Sequence, residues 1–161
     1  LYTWFIQDEI NVIDKTLRFI LGAKFEHTDF TGLEFQPNAR AIYQFNDKNS
    51  FWGAVSRAVR TPSRLEYDAA LLNRVTPGPM GLPVAVVGRG SPNPASENLL
   101  AYEAGYRTEL ARNWSADIAL LYNDYTDLLS VEAGMPFAGF SPVPHVVVPF
   151  AAAYTNRAQT D

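Results

Sequence analysis

Between Tyr2 and Val12 the side chains change character at every second residue, and a period of two commits a chain to extended strands. Tyr2, Trp4, Ile6, Ile10 and Val12 share one face, interrupted by Asp8; Thr3, Gln7, Glu9 and Asn11 share the other, with Phe5 among them. The same period returns over 17–27, 35–45, 98–110 and 114–129. The aromatic run FWGAVSRAVR at 51–60 makes a further strand, which Pro62 ends. A seventh pattern, AAAYTNRAQTD, stops with the chain, and no helical period competes. The expected fold is all-β: an antiparallel meander of about six to seven strands.

The connections are uneven. DKT, NDKN and ARN join strands 1–2, 3–4 and 5–6 in a few residues, and HTDFTG between strands 2 and 3 is intermediate. Residues 61–97 and about 133–150 are long, and their Pro and Gly density predicts irregular loops. In a meander, all the short turns then fall at one end of the sheet and all the long loops at the other. A soluble sandwich has no reason for that asymmetry, whereas outer-membrane barrels have it.

Alternation alone does not choose between these architectures. A soluble β-sandwich turns its apolar face inward, and a membrane barrel turns it to lipid around a polar lumen. The aromatics Tyr2, Trp4, Phe25, Phe35, Tyr43, Phe45, Phe51, Trp52, Trp114 and Tyr122 lie near strand ends, as interfacial girdles would. The polar face carries Arg18, Lys24, Glu26, Arg40, Glu103, Arg107 and Glu109, as a wet or plugged lumen would. Both features favour the barrel, with the sandwich and a passive porin as alternatives.

Composition narrows the function. A net charge of −4 argues against a nucleic-acid partner. Without cysteine there is no disulfide framework and no thiolate site. No stretch approaches eighteen consecutive apolar residues, but a membrane β-strand needs only about 9–11 residues. Glu26, His27 and Asp29 could ligate a metal, yet nothing supplies a second ligand pair, and a solvated loop end is the simpler reading. The carboxylates Asp117 and Asp124, or Glu103 and Glu109, sit on strands with no pocket implied. No Walker loop or GxSxG is present. Neither an enzyme nor a bound cofactor is expected.

Five segments carry a family resemblance. FIQDEINVIDKTLRFILGAKFEH resembles the barrel strands of TonB-dependent outer-membrane receptors, with their Gln-Asp-Glu run and following L-x-x-G-x-R segment. AVSRAVRTPSR is similar to that family's S-R-[AG]-x-R-x-P strand end. NPASENLLAYEAGYRTEL, ALLYNDYTDLLS and YTNRAQT resemble three further segments, in the family's order. The resemblance implies part of a 22-stranded transmembrane β-barrel in the outer membrane of a Gram-negative bacterium. With both ends inside strand patterns and no plug domain or energy-coupling box in the sequence, residues 1–161 are expected to be an internal piece of the barrel domain.

The resemblance also implies a function and partners: uptake of a scarce ligand, most often a ferric siderophore or other iron complex. The plug of the same receptor, the TonB energy-coupling complex reached through it, and outer-membrane lipid would be partners. Arg60, Arg64 and Tyr67, at the start of the long loop, and His145, in the Pro-rich one, are the ligand-contact candidates. Gln7, Glu9, Arg40, Glu103 and Arg107, with Arg60, are expected to face the lumen and meet the plug. Phe51 and Trp52 are expected at the inner-leaflet interface. Ser56, Ala58 and Arg60 are expected to turn inward, and Arg57 outward to snorkel toward headgroups.

Overall fold

A computed structural model describes residues 1–155; the end of the YTNRAQT motif lies outside the described residues. The first strands are β1 (Tyr2–Ile13), β2 (Leu17–Thr28), β3 (Gly32–Asn46) and β4 (Asn49–Arg60). A one-turn helix α1 (Arg64–Asp68), β5 (Ala70–Pro77), a 3-10 turn (Pro79–Gly81) and β6 (Pro83–Arg89) follow. The remainder is β7 (Glu97–Ala111), β8 (Trp114–Thr126), β9 (Leu128–Ala133), β10 (Phe137–Gly139) and β11 (His145–Thr155). These segments form two compact units, residues 1–60 with 98–126, and 61–97 with the segment from Asp127 onward.

The first unit is the meander: six strands in the order β1-β2-β3-β4-β7-β8. Local chemistry sets its turns. Lys15 takes φ 58° in the β1–β2 turn, and the Thr16 amide donates to Ile13 O at 3.0 Å. In the β3–β4 turn, Asn46 Oδ1 accepts from the Lys48 amide and from Asn49 Nδ2. Both turns, with the one at 112–113, close the same end of the sheet, and the Glu109 amide donates to Lys48 O there at 2.8 Å. At the other end, Gly32 takes φ 76°, and Thr28 Oγ1 accepts from the Thr31 amide. The chain also leaves and re-enters the sheet at that end, after Arg60 and before Asn98.

This sheet is one layer thick. Among the described residues only Ala85, Ala101 and Val147 are buried apolar side chains, and no large side chain is fully enclosed. A sandwich would bury the inner faces of two sheets against each other, so the soluble β-sandwich alternative fails here. The apolar face instead stays open, with Trp4, Ile6, Phe35, Ile118 and Leu120 exposed.

Two aromatic rows cross that face. Trp4, Phe25 and Phe35 stack across β1–β3 with centroids 5.3 and 5.1 Å apart. Near the short turns, Tyr43, Phe45, Phe51 and Tyr106 form a second chain of contacts, the closest being Phe51–Tyr106 at 4.7 Å. Phe35 and Phe45 are ten residues apart on β3, a rise of about 34 Å along the strand. Tilted 35–45°, that rise covers roughly 24–28 Å, which matches the apolar band of about 25 Å between the girdles of a membrane barrel.

Trp52 corrects the girdle expectation. Strand parity places it on the polar face with Arg40 and Ala54, opposite Phe51. Arg57 stands beside Phe35, but its guanidinium turns along the sheet, donating to Phe35 O and Asn98 Oδ1, with Glu34 Oε2 at 3.7 Å.

The second unit corrects the loop expectation. Residues 61–97 are not irregular: they contain α1 and the β5–β6 hairpin. The seventh strand does not extend the meander either. β11 pairs in parallel with β6, Val146 opposite Val84 through Ala151 opposite Arg89, and antiparallel with β9 and β10. The second sheet therefore runs β10-β11-β6-β5, with β9 also on β11. The expected continuous strand over 114–129 breaks at Asp127, where φ is 56°.

Candidate functional site

The polar face gathers the expected lumen residues. Gln7, Arg40 and Glu103 line one hollow with Asn38, Ala54 and Ser56. Arg40 Nη2 reaches over β4 to Glu103 Oε2 at 3.9 Å, and the residue paired with Arg40 on that strand is the small Ala54. Glu9 holds Arg18 at 3.1 Å. Arg107 Nε and Nη2 both donate to Asp117 Oδ2, at 2.9 and 2.5 Å. Toward the short turns a second hollow of about 410 Å³ is lined by Arg18, Arg40, Trp52, Arg107 and Asp117, among others. These pairs are solvent-exposed, so each contributes about 0–1 kcal/mol; their main effect is to orient charge across the face.

Sequence reasoning missed the centre of this array. A Cβ on Gly105 would fall 2.4 Å from the Trp52 indole, so only glycine admits the ring there. The Arg40 guanidinium lies over the same indole, 5.3 Å from its centroid, in a cation–π arrangement. Trp52 thus fixes Arg40 between itself and Glu103. Parity within β4 was the available signal, because Trp52 alternates in step with Ser56. Asp117 and Asp124 fall on opposite faces of β8 by the same parity and form no carboxylate pair.

At the end of the face away from the short turns, Lys24 Nζ donates to Glu26 Oε2 at 2.6 Å, and Glu26 is buried. Gln36, also buried, accepts from the Val59 amide through Oε1 at 3.3 Å. This packed polar patch holds β2, β3 and β4 together where the chain leaves the sheet.

The loop candidates separate. Arg60 ends β4 in the first unit. Arg64 and Tyr67 are one turn apart on α1, whose capping box joins Ser63 and Glu66. Arg64 is 85% exposed, with Asp68 3.6 Å away. Gly90 packs against the Tyr67 carbonyl, and the Ser91 amide donates to Glu66 O, which clamps α1 to the end of the β5–β6 hairpin. His145 sits at the opposite end of the second sheet. Its Nδ1 donates to Val143 O at 2.7 Å, and its ring packs over Gly139. The structure therefore brings Arg64 and Tyr67 together, and places His145 apart from them.

A polar face crossed by charge pairs, an apolar face banded by aromatics and a single open layer together describe a barrel wall. The family model for the TonB dependent receptor-like β-barrel matches residues 1–159. The chain belongs to the TonB-dependent receptors.

Solved receptors of this kind share the fold. The siderophore receptor PirA from Acinetobacter baumannii superposes with a TM-score of 0.76 at 17% identity, over 95% of this chain and 23% of that one. PirA from Pseudomonas aeruginosa gives 0.70 at 16% identity, over 94% and 28%. A variant of the ferric enterobactin receptor PfeA from Pseudomonas aeruginosa, in complex with enterobactin, gives 0.72 at 15% identity, over 92% and 22%. The chain thus spans about a quarter of the length of these receptors. No curated protein matches it. The family is one of transport receptors rather than enzymes, and its β-barrels lie in the outer membrane of Gram-negative bacteria.

Proposed function

We propose that this chain is a wall segment and loop unit of an outer-membrane receptor that imports a scarce ligand, a ferric siderophore or another iron complex. The observation that carries the reading is the single-layer sheet, apolar and aromatic-banded on one side and charge-paired on the other, in a chain of this family. Gln7, Glu9, Arg40, Glu103 and Arg107 meet the plug of the same receptor. The ion pairs Arg40–Glu103, Glu9–Arg18 and Arg107–Asp117 hold donors and acceptors in place across this face, which suits a polar partner that has to dock and release.

Ligand contact falls to the second unit and to the strand end that leads into it. Arg60, Arg64 and Tyr67 offer cationic and phenolic groups, and His145 acts through the tip that it fixes. The TonB complex acts through the plug, and lipid covers the apolar face. The test is growth of a strain lacking the full-length gene on defined iron sources under iron limitation. Loss of growth on one iron chelate, restored by the intact gene, is expected. Unchanged growth and unchanged iron uptake on every chelate would overturn the reading.

A further inference from the structure

Proline is out of place in β3. It gives a sheet no amide hydrogen, so it belongs on edge strands and at bulges. Pro37 instead stands in a strand with a neighbour on each side. The Gln44 amide points to Thr16, which leads into β2, so alternation aims the odd-numbered residues of β3, Pro37 included, at β4.

The ladders show the effect. The β2–β3 pairing runs to the end of the sheet, with Thr28 opposite Gly32, and β7–β8 runs to Asn98 opposite Thr126. Between them the β3–β4 pairing stops at Asn38 opposite Ser56, although β3 begins at Gly32 and β4 continues to Arg60. Pro37 is the next residue of β3, and it has no donor for the β4 carbonyl that follows.

Beyond that point side chains stand in for the backbone. Gln36 Oε1 accepts from the Val59 amide at 3.3 Å, and the Arg57 guanidinium donates to Phe35 O. A crevice of about 140 Å³ marks the head of the split, lined by Pro37, Ala39, Val55, Arg57 and Leu100 among others. The clasp is a light one, because Gln36 Nε2 is buried without a hydrogen-bond partner. Arg57 also donates to Asn98 Oδ1, which ties the end of β4 to the start of β7.

β4 and β7 are the two stems of the 61–97 connection. A backbone ladder parts only by breaking its bonds, whereas a side-chain clasp follows a displacement by rotating about its χ angles. We infer that the end of the β3–β4 seam away from the short turns is a hinge, at which β4 and β7 tilt together against β1–β3, with Gln36 and Arg57 as its clasp. Movement of the 61–97 connection reaches the wall through this one seam, while the β2–β3 and β7–β8 seams stay zipped. The hinge is independent of which ligand the receptor carries.

The test is hydrogen exchange of the full-length receptor in detergent, resolved to single amides. Lys48 O accepts from the Glu109 amide of β7, so even-numbered residues of β4 face β7 and odd-numbered ones face β3. The Val59 amide should exchange at least about tenfold faster than that of Ala58, on the β7 side, and that of Val55, within the ladder. Gln36→Ala should accelerate Val59 further. Pro37→Ala, which restores a donor, should slow it about tenfold or more with little change at Ala58.

Equal protection of Val55, Ala58 and Val59 would show a closed seam and overturn the inference. Fast exchange at both Val59 and Ala58 would overturn it as well, because the end of β4 then frays from β7 too. So would a Val59 rate indifferent to both substitutions. Ile118, on β8, should keep its protection in both variants; acceleration there alongside Val59 marks general unfolding and counts against the hinge. The two substitutions act in opposite directions, so if one variant fails to fold the other still decides.

Discussion

The indole of Trp52 lies so close over Gly105 that the smallest side chain there would strike it, at 2.4 Å. One strand-central glycine therefore sets the position of an aromatic ring, and the ring sets the position of Arg40. Gly105→Ala should displace Trp52 and cost about 1–3 kcal/mol of barrel stability, as overpacking does. A double-mutant cycle with Trp52→Ala checks it. If the ring is the obstacle, Gly105→Ala should be nearly neutral once Trp52 is gone. Equal costs in both backgrounds would refute the contact.

Leu120 tests the lipid face. It is 72% exposed, on the apolar side of β8 opposite Ala104, between Ile118 and Tyr122. In the intact receptor, Leu120→Arg should cost about 2–4 kcal/mol on folding into vesicles, as a cation near mid-membrane does. A change below about 0.5 kcal/mol would place Leu120 away from lipid. Leu121, its neighbour on the polar face, should tolerate arginine within that smaller margin if the lumen there is wet.

The Arg107–Asp117 pair makes the opposite kind of prediction. Its geometry is good, but both side chains are well exposed. Asp117→Asn should therefore change stability by about 1 kcal/mol or less. If Arg107 meets the plug, the same change should alter ligand uptake more than folding. Urea unfolding beside an iron-uptake assay separates the two effects, and a large stability loss with normal uptake would contradict the proposed role.

Removing 65–92 should leave the six-stranded sheet folded, because every strand in that stretch pairs only within the second sheet. It should also bare one edge of β11, whose parallel partner β6 is lost. Hydrogen exchange of the 146–151 amides should then rise by orders of magnitude while that of 17–45 stays slow. Ligand affinity should fall about tenfold or more, or about 1.4 kcal/mol. Unchanged protection at 146–151 would show that the two connections fold independently.

The meander was legible because its signals are local: alternation at Leu17–Phe25 or Tyr102–Tyr106, and tight polar turns such as NDKN. The second sheet was not. LLNRV and VAVV are short, bracketed by Pro and Gly, and gain their ladder from VVV some sixty residues later. Punctuation residues report turns and carry no signal of distant pairing. The polar-face residues were legible by parity, including Gln7, Arg40 and Glu103. Trp52 departs from the girdle expectation because parity along β4, rather than residue type, decides which face a side chain takes. The role of His145 depends on Gly139 and Val143, whose approach only the folded tip creates.

Val84 and Val146 are partners separated by 62 positions, with two full wall strands, β7 and β8, threaded between them. Closing a loop of that length is paid for late in folding, after the hairpins have formed. The order of assembly follows: the β1–β4 and β7–β8 hairpins can register first, and the parallel seam between β6 and β11 zips last. A maturing receptor would thus pass through a stage with a finished wall and two unjoined connections, open to proteases at 61–97 and 127–145 until the seam closes.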